Sequence, residues 1–233
     1  MGGWQVRTWA WVALAAQVLF VVSWIAAGFW QGPRYSVVSD SISDLYALTA
    51  PAGLLLAVVI GLCGLATIIF AWLAVWPSLR AAGRSATIGS VLLGLSIYGL
   101  GHLLAPFARV ACRIADQGCS PADQLANSGG LLDAIVSIPG IVFFIGAVFF
   151  LSAAMARTTD WRDLAQPTRR LGIAFIVLLA ATVPISVIGG TGLMTRLLAL
   201  TGAAGIAGLA WRIARVTSRT PAVDASSQVG GPT

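Results

Sequence analysis

Hydrophobic and polar positions fall into long blocks along this chain instead of mixing residue by residue. Six continuously apolar runs stand out, near Trp9–Trp30, Pro51–Trp76, Ala86–Pro106, Leu131–Ala156, Leu171–Gly190 and Leu193–Arg212. Each is about the 20 residues that a helix needs to cross a bilayer core. Neither strand-like alternation nor barrel-strand length is evident, so the runs predict helices. The last two are separated only by Gly189-Gly190-Thr191-Gly192, a tight turn that makes them a hairpin. The expected fold is all-α, a polytopic transmembrane six-helix bundle over residues 9–212. A short N-terminus, 1–8, precedes it, and a polar, Pro/Gly/Ser-bearing tail, 213–233, follows it as a disordered segment.

Composition agrees. Of 233 residues, 58% are hydrophobic and 9% charged, with mean hydropathy +0.89. A water-exposed globule is nearer a quarter charged, which argues against a soluble enzyme. The basic residues are all Arg and the acids all Asp. With abundant Ala and Gly, that bias suggests a GC-rich bacterial source and a multi-pass protein of the plasma (inner) membrane. The net charge of +6 does not point to nucleic acid, because the arginines are scattered at run ends.

Their distribution sets an expected orientation. Arg7, Arg80, Arg84, Arg157, Arg162, Arg169, Arg170, Arg212, Arg215 and Arg219 belong to one set of connections and the termini; Arg34, Arg109, Arg113 and Arg196 belong to the other. The ten-to-four excess predicts that both termini are cytoplasmic. Trp9, Trp11, Trp72, Trp76, Trp161 and Trp211 fall at the same ends and Trp30 at the opposite one, as interfacial tryptophans should. The first run is too long for a cleaved signal-peptide core and is read as a retained helix. Cys112 and Cys119 share an outward connection, where a disulfide closing a short loop is expected.

Charged groups at membrane depth are costly and each calls for a partner or a role. The polar residues of interest cluster toward the outer half and suggest a pocket for a lipid or other amphiphilic molecule. Its candidate ligand-binding residues are Ser39, Asp40, Ser43, Asp44, His102, Asp133, Arg196 and Trp30, and the candidate acids and bases are Asp40, Asp44, Asp133 and His102. Bland readings compete with these. Ser41-x-x-Asp44 has the spacing of a capping box, and capping is the favoured role for that pair. Asp40 is freer, with Arg34 or Arg196 as its expected partner. An ion pair between Asp133 and Arg196 would pin two helices together, and it is favoured over catalysis. His102 suits acid–base work by its ordinary pKa, but a buried histidine satisfied by a carbonyl or by Asp133 is the simpler state. Ser137 with Pro139, and Thr182 with Pro184, mark helix breaks whose freed carbonyls could line a cavity. Gly61, Gly64, Gly202, Gly205 and Gly208 allow close helix approach within the bundle or across a homodimer. One His and no Glu make poor zinc chemistry, so no metal and no cofactor are expected.

The stretch Tyr35-Ser36-Val37-Val38-Ser39-Asp40-Ser41-Ile42-Ser43-Asp44-Leu45, with Pro51 opening the second run, resembles the bacterial domain-of-unknown-function 998 family. Those are six-helix membrane proteins with an Ile-Ser-Asp/Glu-Leu type motif after the first span. The resemblance implies the fold and the membrane location and no activity. The chain departs from the family at the start of the fourth run, where Gly130-Leu131-Leu132-Asp133 replaces a frequent His.

Three functions follow as expectations: an amphiphile-binding membrane protein, a membrane enzyme on a lipid-like substrate such as a terpene-cyclase-like protein using an Asp acid, and a small transporter. An enzyme should bring Asp40, Asp44 and Asp133 together on one cavity. A binding protein should pair each Asp with Arg.

Overall fold

The computed structural model describes residues 3–217. The tail expected to be disordered lies outside them, except that 213–217 continue the last helix. Within them every regular element is helical: α1 (Gly3–Gly28), α2 (Gly53–Ala82, through a π-helical turn at Ala71–Val75), α3 (Arg84–Leu95), α4 (Ser128–Ala156), α5 (Arg162–Val187) and α6 (Thr191–Thr217). Five helices are long and apolar enough to cross a membrane: α1, α2, α4, α5 with the turn before it, and α6.

The third apolar run is the exception. It forms α3 and then breaks at Ser96, whose backbone is extended (φ −64°, ψ 171°), before a π-helical turn at Ile97–Gly101. Irregular backbone at membrane depth is tolerable only where protein covers it and its polar groups are paired. Both conditions are met. Ser96 Oγ donates to the Leu93 carbonyl at 2.7 Å, and the amides of Gly99 and Gly101 donate to the Ser96 carbonyl at 3.0 and 3.1 Å. Gly64 of α2 and Gly140 of α4 press on this segment from two sides. A Cβ at Gly140 would lie 2.9 Å from the Ile97 nitrogen, and one at Gly64 would strike the Leu103 amide and the Gly99 carbonyl.

The helices close into a ring in chain order, with α1 packed on both α2 and α6. The first turns of α1 and the last turns of α6 lie at one end of the ring, where Trp11 of α1 meets Trp211 of α6 edge-on at 5.4 Å. The connections 29–52 and 104–127 form a cap over the opposite end. Glycines of α6 serve packing inside the ring: Gly202 makes room for the Tyr98 ring and Gly205 for Leu171. A buried bond from Gln17 Nε2 of α1 to Thr67 Oγ1 of α2 (3.0 Å) ties two helices within their apolar stretches.

Candidate functional site

The cap is a dense hydrogen-bond network built on buried and half-buried charged side chains. Asp44, in a short 3₁₀ turn at Ser43–Tyr46, is 1% exposed. One carboxylate oxygen accepts from the Ser41 amide (2.8 Å) and hydroxyl (2.7 Å); the other accepts from the Ile114 amide (2.9 Å) and Gln124 Nε2 (2.7 Å). The first pair is half of the expected capping box: the acid reaches back to Ser41, but the Ser41 oxygen caps no amide of the turn. The second pair is long-range and staples the first connection to the second. Four donors are enough to hold a buried carboxylate without any cation.

Arg109 and Arg113 extend the staple. Arg109 donates to the carbonyls of Tyr46 and Ala47, both at 2.8 Å. Arg113 pairs with Asp116 at 2.5 Å and donates to the Gln31 carbonyl at 2.9 Å. Burial alone would raise the Asp116 carboxyl, but hydrogen bonds from Arg113 and Thr49 outweigh it and hold the group at about 2. Cys112 and Cys119 are joined by a disulfide, Cα atoms 6.2 Å apart, which brackets this Arg113–Asp116 clamp.

Arg196 of α6 is buried and corrects an expectation. It forms no ion pair with Asp133. Its Nη1 donates to the carbonyls of Val37 (2.9 Å), Asp40 (2.6 Å) and Gly192 (2.8 Å), and its Nη2 to the Tyr35 hydroxyl. The guanidinium also lies 5.7 Å from the Trp24 ring centroid. Arg196 therefore meets Asp40 through its backbone. The Asp40 carboxylate accepts from the Ser36 amide at 2.7 Å. Burial is the strongest influence on its carboxyl and pushes it above the ordinary value; nearby Asp44 adds to this, against the Ser36 hydrogen bond.

Beneath the cap, inside the ring, lies a cavity of about 240 Å³ to which every helix except α3 contributes. Its aromatic wall comprises Phe20 of α1, Tyr46, Tyr98, His102 and Phe175 of α5; its polar groups include Ser43, Asp133, Ser137 and Thr195. The broken third run aims His102 here. The imidazole lies tilted against Phe20 at 4.4 Å and meets Tyr98 edge-on at 5.4 Å. Tyr98 spends its hydroxyl on the Leu198 carbonyl (2.8 Å), which leaves its ring as wall. Among the described residues neither the His102 ring nor the Asp133 carboxylate has a hydrogen-bond or ion-pair partner, so the expected satisfied histidine is also corrected.

The predicted residues thus separate. Ser43, His102 and Asp133 line the cavity, as does Ser137 beside Pro139, whereas Thr182 bonds the Leu178 carbonyl within α5. Asp40, Asp44 and Arg196 hold the cap and do not line the cavity, so the three acids do not converge. Ser39 and Trp30 are exposed, with Trp30 donating to the Pro51 carbonyl at 3.1 Å. The sequence reading missed the carbonyl-binding role of Arg109 and Arg113, which flank Cys112, and it missed Gln124. It also missed Phe20, Tyr98 and Phe175, for which a uniformly apolar run carries no facing signal. Among the described residues no three His, Cys, Asp or Glu side chains are grouped to hold a metal. Searches of protein-family models, of curated proteins and of solved structures find no match to this chain.

Proposed function

We propose that this chain is an integral membrane protein of the bacterial inner membrane that crosses six times. Both termini lie in the cytoplasm, and the capped cavity, on the extracytoplasmic side, binds a lipid or other amphiphilic small molecule. The third crossing is the broken run from Arg84 to Pro106. The ten-to-four arginine asymmetry supports the orientation, as does a disulfide in the cap, since such bonds persist in oxidising compartments. The resemblance around Ser39–Leu45 to the domain-of-unknown-function 998 family agrees with the six crossings.

One observation carries the binding reading. An unpartnered carboxylate and an unpartnered imidazole share one cavity whose remaining wall is largely aromatic and aliphatic, the composition of a small-molecule site with few orienting polar groups. Its volume suits a head group or a small amphiphile better than a whole lipid. Native mass spectrometry of gently extracted protein tests this. A small molecule should co-purify and be lost from the His102→Ala and Asp133→Asn variants. Protein that flies free of any adduct in every preparation rejects the reading.

A second reading rests on the same acid. Asp133 in one cavity with the rings of Phe20, Tyr98 and Phe175 is an arrangement suited to donating a proton to a lipid-like substrate and stabilising the cation that forms, as in a terpene-cyclase-like enzyme. It requires turnover that Asp133→Asn abolishes. Transport has less support, since the cavity wall at Phe175 continues into Phe144, the two buried rings lying tilted against each other at 4.9 Å.

A further inference from the structure

We propose that the ligand of the capped cavity carries a positively charged ammonium group, held between the Asp133 carboxylate and the aromatic wall formed by Phe20, Tyr98 and Phe175. This rests on the binding reading above and adds the sign of the ligand's charge.

The argument is one of charge placement. Three arginines stand in the cap or beside it, and each is committed elsewhere. Arg109 is spent on the carbonyls of Tyr46 and Ala47. Arg113 is spent on Asp116 and Gln31. Arg196 is spent on three carbonyls and the Tyr35 hydroxyl. Among the described residues no arginine lines the cavity, and Asp133 is the sole carboxylate that does. Bonds to carbonyls leave the guanidinium charges in place but point them away from the cavity lining, so the groups a ligand meets directly are the Asp133 carboxylate and the negative faces of aromatic rings. That combination attracts an organic cation and disfavours phosphate, sulfate or carboxylate. His102, in tilted contact with Phe20, adds a ring nitrogen that can accept a hydrogen bond from an N–H of the ligand. A primary amine could use that acceptor, whereas a quaternary ammonium would rely on the rings alone. Both a lipid head group and a free amine contain this chemistry.

The test is isothermal titration of the full chain in phosphatidylglycerol nanodiscs. The probes share one short alkyl chain: hexylamine, hexyltrimethylammonium, hexanol and hexylsulfonate. The two cations should bind at least about tenfold more tightly than the alcohol and the sulfonate, as a desolvated cation–π and charge interaction requires. Asp133→Asn should erase that preference and Asp133→Glu should keep it. If the asparagine variant does not fold, the head-group comparison on the unaltered protein still decides. Equal binding of alcohol and cations, or tighter binding of sulfonate, overturns the charge assignment while leaving the cavity an amphiphile site. Failure of all four probes, with no co-purifying molecule, overturns both. Once cation binding is established, adding phosphatidylethanolamine to the discs separates the sources. Competition with hexylamine assigns the site to a lipid head group, and undiminished binding assigns it to a free amine.

Discussion

Asp44 and Asp133 are the same residue at the same end of the bundle, yet the cap and the cavity treat them in opposite ways. Asp44 collects four hydrogen bonds from Ser41, Ile114 and Gln124; Asp133 has none among the described residues. The cap arginines follow the cap's pattern, each bound to carbonyls or to Asp116, while among the cavity's polar groups Asp133 and His102 stay unspent even though Ser43, Tyr98 and Thr195 are hydrogen-bonded. A saturated polar network makes a region rigid. An unsatisfied polar group has a cost, and a cavity that retains two such groups is built to be completed by something else. The comparison separates residues that hold the protein together from residues that face a ligand.

Removing the two acids should break that symmetry most visibly. Asp44→Ala strands the Ile114 amide, the Ser41 amide and Gln124 Nε2 in a buried site, a loss of about 3–5 kcal/mol. Asp133→Asn removes an unpaired charge and should change stability by no more than ~1 kcal/mol, or raise it. Unfolding by SDS titration in mixed micelles measures both. If Asp133→Asn proves the more damaging, the acid has a structural partner and the division between cap and cavity fails.

Arg196 comes next. Lysine keeps its charge but is a compact point donor that cannot span the carbonyls of Val37, Asp40 and Gly192 while reaching the Tyr35 hydroxyl. Arg196→Lys should cost about 2–3 kcal/mol in the same titration. A cost no larger than that of an exposed arginine such as Arg34 would mean that charge alone, not the fan of hydrogen bonds, holds the first connection to α6.

The disulfide tests the cap as a unit. It closes a loop with a sequence separation of 7, and such a small loop is worth about 2–3 kcal/mol through the unfolded chain's entropy. Replacing Cys112 and Cys119 with Ser should speed hydrogen exchange across 109–116, including the Ile114 amide bound to Asp44, and leave α4 and α6 protected. Exchange that rises evenly through the bundle would show that cap and helices unfold together.

These regions were unequally legible in the sequence. Long apolar runs announce helices by length alone, so α1, α2, α4, α5 and α6 were readable. The break at Ser96 was not, because Leu-Ser-Ile-Tyr-Gly contains no proline and its glycines read as packing residues. What permits the break is tertiary: Gly64 and Gly140 on other helices leave room for it. His102 and Asp133 were visible as rare polar residues at run ends, and they do share a cavity. The role of Arg196 was misjudged for a physical reason. Opposite charges on neighbouring helices suggest an ion pair, but a guanidinium has five donors and here finds two loop carbonyls and one of its own helix within reach, and these outcompete a single carboxylate. The aromatic wall could not be read, since in a run that is apolar all round nothing marks the inward face.

The smallest effect concerns the Arg113–Asp116 clamp, and pH reveals it. The Asp116 carboxyl is held at about 2 in the folded cap, against an unfolded value near 3.9. A depressed acid stabilises the fold fully above the unfolded value, and that contribution is lost as pH falls from about 4 toward 2. Asp116 retains 23% side-chain exposure, so solvent screening trims the contribution to ~1 kcal/mol. Stability of the unaltered protein and of Asp116→Asn should therefore differ by that amount at neutral pH and converge near pH 2. Thr49→Val removes one of the hydrogen bonds that depress the group and should shift the convergence to higher pH. A constant difference across the range would mean that the clamp acts through shape and not charge, in which case the cap's rigidity rests on Asp44 and the disulfide alone.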